Sequence, residues 1–398
     1  MIQISKAIRI IDRETAILSS ERINLADAHG RVLAENVIAD TDLPPFDRSQ
    51  MDGYAVKAED TKNAPVTLKI VGESAAGRGW HKTLNNGEAV RIMTGAPVPK
   101  GADAVQKIEL SSEADRFAPL TEPTSKGRYI IAKGGEVRKG RIVLKKSTII
   151  SAGNISVPAA FGYAKLKVAK RPRVAIISTG TEIVEIGKKP KQDQIRNSNS
   201  LMLAALCRQA GADPTVFPIV GDDISDLRSQ ISNAVKSSDI LITTGGVSVG
   251  KYDLTKLALE QLGAEIVFDK VALKPGKPTV FGRLKKTFVF GLPGNPVSAA
   301  VTFQLFVRRA IGKMQGLPNA GLKSGSAVAG AKVKGTKERA SYLPASLSTD
   351  ADGQLVATPI RWFGSSDFVG YAAADALVFV APDTTVEAGE VVKIRFLL

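Results

Sequence analysis

One cysteine and two histidines in 398 residues remove whole classes of chemistry. Cys207 alone cannot form an intrachain disulfide or a multi-cysteine metal site. It sits in the apolar run Leu201 to Cys207, where a thiol reads as core. With only His29 and His81, a histidine metal cluster is excluded and Ser-His catalysis is not expected. Aromatics are scarce, at 6%, so there is little stacking surface for nucleic acid, although the formal charge is +15. The basic residues are spread, densest over 133–146 and 165–173, where alternating lysines on a strand mean a solvated face. The same field suits steering of a small polyanion, and no nucleic-acid partner is expected. No apolar run approaches the roughly eighteen residues of a membrane span, so no membrane association is expected. Near the start, Ile4, Ala7, Ile8, Ile11 and Leu18 share one helical face. Lys6, Arg9, Asp12 and Glu14 interrupt any apolar leader, and the expected location is cytoplasmic. Chemistry must then rest on carboxylates, lysines, hydroxyls and backbone amides.

What the chain does have is glycine-rich turns after short apolar runs. Three fall between Asp239 and Ser298: Thr244-Gly245-Gly246-Val247-Ser248-Val249-Gly250, Lys274-Pro275-Gly276-Lys277-Pro278 and Gly291-Leu292-Pro293-Gly294-Asn295-Pro296. Over 171–316, strands at Val174 to Ile177, Val216 to Val220, Ile240 to Thr243 and Glu265 to Phe268 alternate with helical stretches. A hairpin-like pair, Thr279 to Gly282 and Thr287 to Phe290, then leads to a long apolar helix from Pro296. Repeated βα units predict a doubly wound sheet, with ligands beyond the carboxyl ends of its strands. Five loops fall at that edge, including those of Glu182, Asp222-Asp223 and Lys270. After about Leu317 short alternating segments predict an all-β barrel-like module.

The predicted fold is multidomain α/β. A central doubly wound domain takes 1–20 plus 171–316, and a small linking domain takes 21–43 plus 140–170. A mixed α+β module is inserted at 44–139, and a β-barrel domain occupies 317–398. Each motif has a plain structural reading beside a functional one. Ser248 beside free amides suits an anion, or merely a tight strand-to-helix turn. Asp253 precedes a helix and is either an N-cap or a metal ligand. Lys270, Lys274 and Lys277 are solvated lysines or a proline-stiffened anion clamp. Asn295 and Pro296 suit an N-cap and first helical position that also presents a helix start to the cleft. Acids at Glu182, Asp222 and Asp253 around a basic edge suit Mg²⁺ bridging to a phosphate. Two further loops, Pro44 to Val56 and Arg91 to Asp103, are fixed by glycine and proline and carry polar groups.

Together these segments resemble the MoeA family, also called the gephyrin E-domain family. Met51-Asp52-Gly53-Tyr54-Ala55-Val56, Met93-Thr94-Gly95-Ala96-Pro97-Val98-Pro99, Ser178-Thr179-Gly180-Thr181-Glu182 and the three turns occur in that family's order, over nearly the whole chain. The resemblance implies a Mg²⁺-dependent molybdopterin molybdenumtransferase. Such an enzyme takes adenylylated molybdopterin and molybdate and releases AMP. It also implies a MogA-like central domain, a homodimer with a shared active site, and transient contact with the molybdopterin adenylyltransferase. By that pattern Asp52 and Thr94 of one subunit would close a cleft formed by Glu182, Asp222, Asp253, Lys270 and Lys274. Asp222 and Asp253 would hold the metal. Ser248, Lys274 and Lys277 would hold molybdate, joined by Arg339 and Ser365 of the barrel module. Gly245, Gly246, Pro293, Asn295 and Pro296 would complete the substrate site. The chain departs from the family pattern at Lys133-Gly134-Gly135-Glu136, where an arginine and an acid are replaced. Two alternatives stay open: the sister adenylyltransferase reaction and a non-catalytic scaffold.

Overall fold

A computed structural model describes residues 1–113, 115–246, 254–361 and 363–397. Its central sheet has six strands, β1 (Arg173–Ser178), β2 (Asp213–Val216), β3 (Ile240–Thr244), β4 (Glu265–Phe268), β5 (Val280–Leu284) and β6 (Thr287–Leu292), in the order β2-β1-β3-β6-β5-β4. Only β5 runs against the others, because the short turn at Lys285-Lys286 returns it as a hairpin with β6. β1 and β3 are buried along nearly their whole length, which accounts for their unbroken apolar sequence. Helices α1 (Ile4–Glu14), α2 (Asn199–Gln209), α3 (Ile224–Ser237), α4 (Leu254–Gln261) and α5 (Pro296–Thr302) cover the two faces. One face buries Ile4, Leu203, Phe281 and Phe290; the other buries Leu227, Ile231 and Leu259. α5 continues through a π turn, Phe303–Val307, into Arg308–Met314, which gives the long apolar helix expected from Pro296.

One strand differs from expectation. The apolar run Val216 to Val220 was the candidate, but pairing with β1 covers Asp213 to Val216, and Pro218 lies beyond it. β2 is an edge strand, so Pro214 needs no partner on its outer side. The ladder ends with the Phe217 amide on the Ile176 carbonyl, and after Pro218 the chain returns to the end of β1 at Val220, whose amide donates to the Ser178 carbonyl.

The C-terminal strands β7 (Ser324–Ala329), β8 (Ala340–Thr349), β9 (Leu355–Pro359), β10 (Ala376–Val380) and β11 (Val391–Phe396) close into a five-stranded barrel. Of these, the alternating pattern of the sequence marks Ala327 to Gly330, Leu355 to Thr358, Leu377 to Val380 and Val391 to Ile394, and it misses β8, the longest. A short strand of the central domain, Leu273–Lys274, adds to β8 in parallel. Barrel residues Ala340, Tyr342, Leu377 and Leu397 join the central apolar core. Between the central segments, Ser20–Asn24 pairs with Lys165–Ala169 in a small linking unit that has its own core. Strands Gly53–Val56, Val66–Ser74, Glu88–Ile92, Ala104–Lys107 and Phe117–Leu120 form a separate five-stranded sheet, with single 3-10 turns at Ala58–Thr61 and Ile108–Leu110.

Candidate functional site

The parallel register places the loops after β1, β2, β3, β4 and β6 at one edge, with the turn entering β5 beside them. Gly245 and Gly246 end β3 with φ of 91° and 63°. A Cβ on Gly245 would collide with the Thr179 carbonyl, and one on Gly246 would lie 2.6 Å from the Thr255 hydroxyl oxygen. Packing against the end of β1 and the start of α4 therefore favours glycine at both positions. Ser248 and Asp253, which follow, lie outside the described residues.

Asn199, in the first turn of α2, fastens this edge together. Its amide donates to the Gly294 carbonyl at 2.7 Å and to the Thr244 hydroxyl at 3.0 Å. The Thr244 hydroxyl in turn reaches the Pro293 carbonyl at 3.1 Å. Asn199 was not among the sequence candidates. The polar run Asn197-Ser198-Asn199-Ser200 at a helix start was its only local signal.

Asp222 accepts a 3.0 Å hydrogen bond from the Thr181 hydroxyl, while Asp223 caps α3 by accepting from the Asp226 amide at 2.8 Å. The neighbouring acids thus divide: Asp223 is structural and Asp222 stays exposed. Glu182 is also exposed, and its carboxylate lies over Gly180. Between these two loops opens a cavity of roughly 350 Å³, lined by Thr181, Gly221 and Lys188, a lysine that the sequence did not single out.

The Lys274-to-Lys277 turn is built differently. Pro275 and Gly276 are buried, and a Cβ on Gly276 would collide with Thr302. The Thr279 hydroxyl donates to the Gly276 carbonyl at 2.7 Å, and the Val271 amide closes onto the Lys277 carbonyl at 3.0 Å. With its middle fixed, the turn exposes both lysine side chains, and neither has an ion-pair partner among the described residues. Across the seam Arg339 enters β8, and its guanidinium donates to the Leu273 carbonyl at 3.4 Å. Lys270 lies just upstream, where its carbonyl accepts from the Ile2 amide. Beside it the Lys256 ammonium, 2.8 Å from Asp269, holds that carboxyl below the usual range.

Asn295 stands at the N-cap position with Pro296 at the first helical position, but its side chain does not cap the helix. It donates to the Ser365 hydroxyl at 2.9 Å, and the Ser365 carbonyl accepts the Val297 amide at 3.0 Å. The barrel thus occupies a donor that a helix start could have offered to an anion.

Asp52 and Thr94 lie together in the 44–139 module. The Thr94 amide donates to the Asp52 carboxylate at 2.6 Å and, with the Thr94 hydroxyl, lowers its pKa. Gly53 must be glycine, since a Cβ would collide with the Gln106 carbonyl. Glu136 pairs with Arg48 at 2.7 Å, Lys133 stands 3.8 Å from Asp42, and the Lys133 amide donates to Asp47 at 2.8 Å. The Lys133-Gly134-Gly135-Glu136 departure therefore serves to bracket the 42–48 loop. Every hydrogen bond and ion pair described for residues 44–139 stays in that module or goes to the adjoining linking segments. Within one chain, then, Asp52 and Thr94 are brought to each other but are bonded to no residue of the lysine seam.

Three family descriptions match successive stretches: "MoeA N-terminal region (domain I and II)" over 2–162, "Probable molybdopterin binding domain" over 175–313, and "MoeA C-terminal region (domain IV)" over 326–397. A molybdopterin molybdenumtransferase of Staphylococcus aureus strain COL is 36% identical over 79% of this chain and 76% of its own length. One from Staphylococcus epidermidis is 35% identical over the same shares. A solved molybdopterin biosynthesis MoeA protein of Pyrococcus horikoshii OT3 superposes with a TM-score of 0.87 at 29% identity, over all of both chains. A second solved MoeA structure from the same species gives 0.83 at 32%, covering 100% of this chain and 99% of that one.

Proposed function

Because the chain belongs to the MoeA family of molybdopterin molybdenumtransferases, which insert molybdenum in molybdenum-cofactor biosynthesis, we propose how its parts divide that work. The substrates are adenylylated molybdopterin and molybdate, and AMP leaves as molybdenum passes to the dithiolene. Lys274, Lys277 and Arg339 hold the molybdate dianion. The observation that carries this reading is their meeting at one seam: two unpaired lysines on a turn fixed by buried Pro275 and Gly276, and a guanidinium entering from the barrel. A fixed cationic cradle binds an oxyanion with little reorganisation.

Asp222 offers an exposed carboxylate beside the Thr181 hydroxyl, an all-oxygen donor set that fits magnesium. Asp222, with Asp253, would hold it, and it would supply charge neutralisation at the phosphoanhydride. Lys270 faces the same phosphates, Ser248 adds a donor for molybdate, and Glu182 orients the attack. Gly245, Gly246, Pro293, Asn295 and Pro296 shape the cleft that Asn199 staples together. Ser365 acts by holding Asn295.

Asp52 and Thr94 have no tie to this seam in their own chain, so a second copy supplies them in a homodimer with a shared site. Among the described residues no helix is long and apolar enough to cross a membrane. We place the enzyme in the cytoplasm, taking substrate in transient contact with the adenylyltransferase.

Incubation with adenylylated molybdopterin, molybdate and Mg²⁺ should release AMP. Lys274→Ala should lower turnover about 10²- to 10³-fold, and Lys274→Arg should recover part of it. Release no faster than in a protein-free control would end this reading.

A further inference from the structure

The loops of the central sheet lie at two edges, and the reaction uses only the carboxyl one. Helix α2 starts at Asn199 on that edge and ends ten residues later at Gln209, about 15 Å away. Its last turn is therefore at the opposite, amino edge, beside Arg171, which precedes β1. There a cavity of roughly 460 Å³ opens between the central domain, the linking domain and the lead-in to the barrel.

Arg171, Arg208, Arg308 and Lys323 line this cavity together with His29, and no aspartate or glutamate does. Arg171 has a loose partner, Asp213, at 3.5 Å. Arg208, Arg308 and Lys323 have no ion pair among the described residues. The adjacent Arg309 is committed to Asp12 at 2.6 Å. The Arg308 Nη1 is buried with no hydrogen-bond partner, and burial pulls the guanidinium pKa down. A buried guanidinium nitrogen without an acceptor is unfavourable unless a ligand supplies one.

Complementing a helix dipole explains Arg208, which sits in the last turn of α2. It does not explain Arg308, which directly follows the π turn and stands well before the end of its helix. Nor does it explain Lys323, exposed just ahead of β7. The cavity is also too large for a bare oxyanion, and Val32 and Leu322 give it apolar walls. Gln315 is held by its Nε2, which donates to the Ala210 and Ile311 carbonyls. Its Oε1 has no hydrogen bond among the described residues and can accept from a ligand donor.

We propose that this cavity is a second binding site, separate from the molybdate cleft, for a nucleotide-sized organic phosphate. Arg208, Arg308 and Lys323 hold its phosphate oxygens, while Val32, Leu322 and Gln315 face its organic part. The assignment is independent of the reaction at the other edge.

Calorimetric titration of the full-length protein with ATP, and separately with inorganic pyrophosphate, at near-physiological salt tests it. ATP should bind with one site per chain that survives Lys274→Ala combined with Lys277→Ala. Arg208→Gln combined with Arg308→Gln should weaken that site about tenfold or more, since each charged hydrogen bond to phosphate is lost. If that variant does not fold, Lys323→Gln at its exposed position should still weaken binding by about threefold. Three outcomes overturn the proposal: absence of ATP binding, pyrophosphate binding as tightly as ATP, or ATP binding abolished by the Lys274 and Lys277 changes but kept in the Arg208 and Arg308 variant.

Discussion

The central domain and the 44–139 module each carry part of the proposed site, yet they are anchored in opposite ways. The central domain is fused to the barrel. Tyr342 and Leu377 share a core with Ile176 and Phe290, Leu273–Lys274 extends the barrel sheet, and Asn295 is bonded to Ser365. The 44–139 module buries its own residues, around Tyr54, Leu68 and Leu120 on one side and around Leu84, Val90 and Ile92 on the other. Its described bonds stay local. One half of the site is therefore built into a shared core, where Lys274 and Arg339 keep fixed positions. The other half, Asp52 with Thr94, is rigid within itself but must be positioned by something outside its own module.

The largest effect that could break this contrast is in subunit mixing. Asp52→Asn and Lys274→Ala should each abolish most AMP release. Co-expressed at equal levels, they should recover about a quarter of wild-type activity, because half of the dimers would be mixed and each of these carries one intact site. No recovery from mixed dimers would mean that both halves come from one chain.

A smaller effect sharpens the same contrast in stability. Calorimetry should resolve two transitions. Phe290→Ala, at a fully buried position, should destabilise the central and barrel unit by about 3–5 kcal/mol and leave the other transition in place. Leu68→Ala, also buried, should move only the second, by about 2–5 kcal/mol. A single transition shifted by both changes would show that the two regions unfold as one.

The same contrast marks what was legible in the sequence. The βα order of the central domain was readable because β1 and β3 are buried on both faces and so spell unbroken apolar runs. The loops at the carboxyl edge follow from that order alone. β2 was misplaced because Phe217 to Val220 is as apolar as a strand, whereas pairing depends on where the backbone meets β1. β8 was missed because polar residues and Pro344 interrupt it. Contacts between distant segments left no local pattern either. Asn295 sits where a capping residue belongs, and only the folded barrel redirects it to Ser365. Gly245 and Gly246 look like a ligand-cradling turn, and the structure adds a packing demand from Thr179 that sequence spacing cannot express. Family resemblance supplied the pairing of Asp52 with Thr94, which no periodicity in 44–139 encodes.

The smallest expected effect concerns that pair and acid. The Asp52 carboxylate accepts from the Thr94 amide, and that bond, with a smaller contribution from the Thr94 side chain, lowers its pKa. A carboxyl whose folded pKa lies below its unfolded value adds stability above the unfolded pKa, near 3.9 for an ordinary aspartate, and loses it as pH falls through the folded pKa. The exposed position keeps the contribution slight. Carboxyl NMR should therefore show Asp52 titrating below the ordinary aspartate range, and Thr94→Ala should raise that midpoint only in part, since the amide remains. Asp52→Asn should flatten the corresponding loss of stability of the 44–139 unit below about pH 4 while leaving the central transition untouched. An Asp52 midpoint at the ordinary value would mean that the Asp52–Thr94 pair is not held in place by its own module.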